Sequence, residues 1–121
     1  MTVFDTYAPV VSCMTMRLLL VISLVFNLAT QQVDYTNAFY HAPIEHTVLV
    51  ELPSRFEVPN KVLLLNQSVY GPRQSPLSFY YHLNQGLEST CFTKFNHDAC
   101  LLAEQSYPSF GLMIVYVTPR R

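Results

Sequence analysis

Gln32-Val33-Asp34-Tyr35-Thr36-Asn37-Ala38-Phe39 is the stretch on which the reading of this chain turns. The aspartate closes Ala29 to Asp34, a short strand candidate, and an aromatic ring follows five residues later. A carboxylate at a strand end has an ordinary use, which is to cap the turn that follows through nearby backbone N–H groups. It can also serve as a cation ligand, because hard divalent ions take oxygen donors. With three Asp and sixteen Phe or Tyr in the chain, such a pair arises by chance about a third of the time. Asp34 and Phe39 therefore need support from their surroundings.

Upstream, Pro9 and Pro43 bracket a helix and that strand. Ser12 is an N-cap candidate, and Met14, Leu18, Val21, Ile22, Val25 and Phe26 recur at helical spacing. Arg17, Ser23 and Asn27 fall within one arc, which predicts a helix buried on most sides. The run Leu18–Phe26 lasts nine residues, short of the roughly 20 that a membrane span needs, and no basic leader precedes it. A buried core helix fits better than a signal or an anchor.

Downstream, Thr47–Leu52 and Lys61–Leu65 are apolar runs of strand length around a Pro53/Pro59/Asn60 linker, and they predict a β-hairpin with a long loop. Gly71 and Pro72 make a turn. Ser75-Pro76 then opens a second helix that runs to about Glu88, with Phe79, Leu83 and Leu87 on one face. Ala99–Leu102 and Leu112–Val117 read as two strands joined around Pro108 and Gly111. The order predicts an α+β fold in one domain over residues 1–121, with no repeat and no second domain.

Half of the residues are hydrophobic and only 12% are charged, about half the usual share of roughly 25%. That composition excludes disorder. It also points to apolar faces that were meant to meet partners. Seven Lys and Arg against eight Asp and Glu leave a net charge of −1. A chain that grips a nucleic-acid backbone by itself carries a basic surplus, so weak or no nucleic-acid binding is expected of it alone, together with a tendency to self-associate. Cys13, Cys91 and Cys100 are an odd set without a framework, which fits reduced thiols and an intracellular location, cytoplasm or nucleus.

Three constellations bear on chemistry. Ser68-Val69-Tyr70-Gly71-Pro72-Arg73-Gln74-Ser75-Pro76 puts Arg73 and Gln74 in a tight turn at a helix start, where N–H donors and the dipole favour phosphate. A plain turn with a solvated arginine accounts for the same residues. Cys91, His97 and Cys100 have a loosely zinc-like spacing but lack the paired units and the fourth ligand of a structural site. No Gly-x-Ser-x-Gly elbow occurs for a nucleophilic serine.

In order along the chain, these segments resemble the reverse transcriptase of copia-type long-terminal-repeat retrotransposons. Phe4-Asp5-Thr6-Tyr7-Ala8-Pro9-Val10-Val11 looks like the family's leading segment, Arg17–Leu20 like its first helix, and Gln32–Phe39 like the motif of its first catalytic aspartate. Val50-Glu51-Leu52-Pro53 with Phe56 is similar to the Pro-x-Gly-Phe neighbourhood, although Arg55 stands where glycine is usual. Lys61-Val62, Leu65-Asn66 and Ser68-Val69-Tyr70-Gly71 resemble the Leu-Tyr-Gly segment, and Gln74 and Pro76 its Lys-Gln-Ala-Pro box. Gly86-Leu87, Phe92, Asp98–Leu101 and Val115-Tyr116-Val117 complete the order.

The resemblance implies RNA-directed DNA synthesis on a partial palm-and-fingers fold, truncated before the thumb, with an RNA or DNA template-primer and a deoxynucleoside triphosphate as partners. It makes Asp34, with the Tyr35 carbonyl, a magnesium ligand. It makes Phe39 the residue that blocks a ribose 2′-hydroxyl, and it puts Arg73 and Gln74 at the incoming nucleotide. The family follows Tyr-Val with two aspartates that complete a two-metal site. Here Thr118 and Pro119 occupy those positions. Pro72, Leu77 and Phe79 also depart from the family's apolar, basic and tryptophan positions. The expectation is a degenerate, inactive polymerase that does not hold Mg2+ stably. The alternative is a small apolar interaction or membrane-associated protein.

Overall fold

The computed structural model describes residues 7–104, 106 and 110–117. Thr118 and Pro119, the leading Phe4-Asp5-Thr6 and the predicted turn residue Pro108 lie outside the described residues.

Helix α1 spans Cys13–Val25 and has defined stops at both ends. Ser12 is extended (φ −65°, ψ 137°), and its Oγ accepts the Met14 N–H at 3.2 Å. That contact satisfies one of the donors a helix start leaves open. At the other end Asn27 turns left-handed (φ 49°). Leu28 N–H then reaches the Ser23 carbonyl at 2.8 Å and Asn27 N–H the Leu24 carbonyl at 3.3 Å, a Schellman closure.

Two sheets follow. Strands β1 (Pro43–Glu51) and β2 (Val62–Gln67) pair antiparallel from Val48↔Leu65 to Glu51↔Val62, with an irregularity between Pro43 and Val48. This is the predicted hairpin, with β1 starting four residues earlier than expected. Helix α2 (Ser75–Ser89) has proline in its first turn as predicted, and Phe79, Leu83 and Leu87 face the core. Strands β3 (Phe92–Lys94), β4 (Leu101–Glu104) and β5 (Gly111–Ile114) form an antiparallel sheet in the order β3-β4-β5. The architecture is mixed helix and sheet. Its core joins Val11, Phe39, Ala42, Leu77, Phe79, Tyr80, Cys100, Leu102, Val115 and Val117.

Two expectations fail. Ala29 to Asp34 does not form a strand. The segment is exposed throughout and lies between the left-handed Asn27 and Asn37. Gln31 and Gln32 leave Val33 alone to drive pairing, too little alternation to fix one face. The second failure is burial of α1, which has no buried residue. Leu24 and Val25 are 81% and 71% exposed. An apolar helix is buried only where something covers it.

Candidate functional site

The segment after Asp34 is where the chain becomes ordered around aromatic rings. Asn37 (φ 54°) starts a short 3-10 helix, Ala38–His41. That left-handed turn sends Phe39 inward to 5% exposure. Its ring meets Tyr70 at 4.6 Å and Phe79 of α2 at 6.0 Å. Tyr35 stands edge-on to Phe79 at 5.9 Å, and Tyr40 edge-on to Tyr70 at 5.8 Å. Such pairs add about 0.5–1.5 kcal/mol each beyond buried area. They bind the Asp34 segment, the Ser68–Gly71 segment and α2 into one unit. Gly71 allows the bend after Tyr70, with φ 127° in a region that side chains rarely adopt.

Between Tyr35 and α2 lies an open, mainly apolar cavity of about 420 Å³, lined by Tyr35, His41, Phe79, His82, Leu83 and Leu87 among others. Its volume falls within the range of small-molecule pockets. The two histidines were not singled out from sequence. They lie on different elements, and only the 3-10 turn brings His41 to the α2 face.

Asp34 is exposed on the segment immediately before Tyr35. Arg73 is also exposed, and Gln74 is half-buried at the N-cap of α2. The helix start behind them is closed rather than open. Ser75, Pro76 and Leu77 are buried, and the Ser75 N–H is taken by the Pro72 carbonyl at 3.3 Å. Pro76 carries no N–H at all. The cationic group presented by this turn is therefore the Arg73 side chain, without the first helical amides that the sequence reading assigned beside it.

A different carboxylate organises the other side of the molecule. Asp98 accepts the Thr15 hydroxyl at 2.6 Å and the Ser12 N–H at 3.2 Å through Oδ2, and the Cys100 N–H at 3.0 Å through Oδ1. The Thr15 hydroxyl, and then the two backbone donors, hold its pKa below the usual carboxylate range despite partial burial. The signal was present in Asp98-x-Cys100, a side chain that bonds backbone two residues on. Its reach to α1, 83 residues away in sequence, left no local trace. Cys100 is fully buried, and burial, with the Asp98 charge second, pushes its thiol up to about 11. Such a thiol is inert at neutral pH. Cys91, in contrast, is exposed, and among the described residues no three His, Cys, Asp or Glu side chains group to hold a metal ion. Asp34 therefore belongs to no group of three or more such donors among the described residues.

Comparison with known proteins places these observations. A family model described as reverse transcriptase (RNA-dependent DNA polymerase) matches residues 2–118. The chain is 30% identical over 117 residues to the retrovirus-related Pol polyprotein from transposon TNT 1-94 of Nicotiana tabacum, an alignment covering 93% of this chain and 9% of that protein. It is 28% identical over 116 residues to the Pol polyproteins from transposons RE1 and RE2 of Arabidopsis thaliana, covering 93% of the chain and 8% of each. The chain thus spans under a tenth of the length of these relatives. No solved structure matches it. Among the described residues no helix is long and apolar enough to cross a membrane.

Proposed function

Because the chain belongs to the reverse transcriptase (RNA-dependent DNA polymerase) family, in the branch of copia-type retrotransposon Pol polyproteins, we propose that it is a palm-and-fingers unit of such a polymerase that has lost catalysis. One observation carries this reading: Thr118 and Pro119 follow Tyr116-Val117 at the positions of the family's paired aspartates. Enzymes of this family use magnesium, and in-line phosphoryl transfer needs carboxylates to share two such ions. Threonine is neutral and proline offers no side-chain ligand. Magnesium gives up its waters reluctantly, so Asp34 with one carbonyl binds it weakly.

The aromatic cluster supports the same conclusion. In the active family Phe39 would face the sugar of an incoming nucleotide. Here its ring is 5% exposed and packed between Tyr70 and Phe79. Tyr35, Arg73 and Gln74 keep the family's positions for the nucleotide. With a net charge of −1, contact with template and primer is weak.

Primer extension on an RNA template, with magnesium and with manganese, tests the proposal for the unmodified chain and for Thr118→Asp. Neither extends primer, the second because Pro119 still occupies the other ligand position. Template-dependent extension by the unmodified chain above a no-protein control overturns the reading. A second reading, an apolar interaction module, is favoured by the exposure of Leu24 and Val25 on α1 and of Leu49 and Leu64 on the hairpin.

A further inference from the structure

We propose that α1 is a strap latched by Asp98: the helix lifts off and melts as a unit of its own while α2 and the three-stranded sheet stay folded. The inference stands on how α1 is held and is independent of the polymerase reading.

Val11 and Phe39 are both buried in the core, and they bound the stretch of chain that contains α1. Between them, α1 has no buried residue. Thr15, Leu19, Ile22 and Ser23 are half-buried on one face, and residues 24–37 are exposed throughout. Among the described residues no other helix or strand packs extensively against α1. Few buried apolar contacts let a segment open at less cost than the whole fold. Val11 and Phe39 can both keep their places in the core when it does.

What fixes the helix is concentrated at its start. Asp98 Oδ2 accepts the Ser12 N–H at 3.2 Å and the Thr15 hydroxyl at 2.6 Å, both at the first turn. The other carboxylate oxygen accepts the N–H of Cys100, a fully buried residue, at 3.0 Å. The latch therefore ties a thinly covered helix to a post set in the core. Hydrogen bonds to a charged group are roughly twice as strong as neutral ones, so this one carboxylate outweighs its size. Nothing within α1 replaces it. An isolated helix shorter than about 12–15 residues is marginal in water, and α1 has 13. The Ser23 hydroxyl also bonds the Leu20 carbonyl at 2.7 Å, a contact that competes with helical bonding. Release at Asp98 and melting of α1 are thus one event.

Hydrogen exchange of the full chain, resolved by residue at a series of low urea concentrations, tests this. Amides of Leu18–Phe26 exchange through an opening that hardly responds to urea, because it exposes little surface. They are at least tenfold less protected than those of Leu102 and Ala103 in β4 and of Leu83 and Asn84 in α2. Thr15→Val removes the latch hydroxyl at nearly constant shape, and Asp98→Asn removes the charge. Each raises α1 exchange roughly tenfold and leaves β4 and α2 as they were. Leu102→Ala does the reverse, lowering protection in β4 and α2 but not in α1. The proposal is overturned if α1 shares the protection and urea dependence of the core, or if it is unprotected in the unmodified chain. It is also overturned if the two latch variants leave α1 exchange unchanged, or if they weaken all three elements together.

Discussion

Every residue of α1 except Thr15, Arg17 and Ser23 is apolar, and none is buried. Helix α2 carries serines, histidine, asparagine, glutamine and glutamate, and it buries Ser75, Pro76, Leu77, Phe79, Tyr80 and Asn84. The difference lies in what each helix meets. Helix α2 packs on the 3-10 turn, β1 and β3, and the Tyr80 hydroxyl donates to the Ala99 carbonyl at 2.7 Å. Helix α1 is tied at its first turn by the Asp98 carboxylate, and along its length Leu19, Ile22 and Ser23 are only half-buried. Hydrophobicity supplies a driving force proportional to area removed from water. It does not say which elements the rest of the chain will cover.

The largest expected effect separates the two regions outright. Leu102 is fully buried at the centre of the three-stranded sheet, whereas Leu24 is 81% exposed. Leu102→Ala costs about 2–5 kcal/mol through lost transfer energy and a residual cavity. Leu24→Ala stays within about 0.5 kcal/mol, as exposed substitutions do. Urea unfolding of both variants checks the contrast. Equal losses would mean that α1 is part of the cooperative core.

That contrast marks what the sequence could disclose. Local signals read well: Ser12 as a cap, proline at the start of α2, and the Val48–Glu51 pairing with Val62–Leu65 all have causes within a few residues. Errors came where distant partners decide. The segment from Ala29 to Asp34 had a strand's length but lacked alternation. Helix α1 had a core helix's composition, but the rest of the chain half-buries only one face of it among the described residues. At the candidate site, the order of motifs and the Thr118-Pro119 departure were legible. The burial of Phe39 under Tyr70, the closed start of α2 and the pairing of His41 with His82 around one cavity were not. Each depends on the left-handed Asn37 and the bend at Gly71, single-residue conformations with long reach.

Asp98 offers the next test, since it is the join between the regions. Asp98→Asn weakens three hydrogen bonds and is expected to cost about 1–2 kcal/mol. Its pKa is depressed in the folded state, chiefly by the Thr15 hydroxyl. The stabilisation is therefore complete above the unfolded carboxylate value and is lost as pH falls through the lower, folded one. The unmodified chain should lose stability in that acid window by more than the variant does. Parallel pH curves for the two would remove Asp98 as the anchor of α1.

Cys91 sharpens the picture at the other end of α2. It sits one residue past the Thr90 C-cap with φ 69°, the left-handed position that glycine fills most easily. Cys91→Gly relieves a side-chain clash and is expected to stabilise the chain by about 1 kcal/mol. Its effect should appear in the melting of the α2 core. Destabilisation would show that the exposed thiol side chain contributes packing that outweighs backbone strain.

Gly86 gives the smallest effect and the finest probe of α2. It lies within the helix, where glycine is less favourable than alanine by about 0.8–1 kcal/mol because the unfolded chain has more freedom to lose. A Cβ placed there meets nothing within 4 Å, so no clash offsets the gain. Gly86→Ala is therefore expected to raise stability by about 0.5–1 kcal/mol, read as a shift of the urea midpoint at unchanged slope. Gly86 also lines the cavity beside Tyr35, His41 and His82. One methyl in a space of about 420 Å³ leaves it open, so the substitution separates helix propensity from cavity filling. Gly86→Leu places a larger apolar side chain at the same position on the edge of the cavity. If Gly86→Ala stabilises and Gly86→Leu destabilises, the cavity wall is rigid and its shape is held by the aromatic cluster. If neither changes the midpoint, α2 is already so well fixed by Phe79 and Tyr80 that its intrinsic propensity no longer matters.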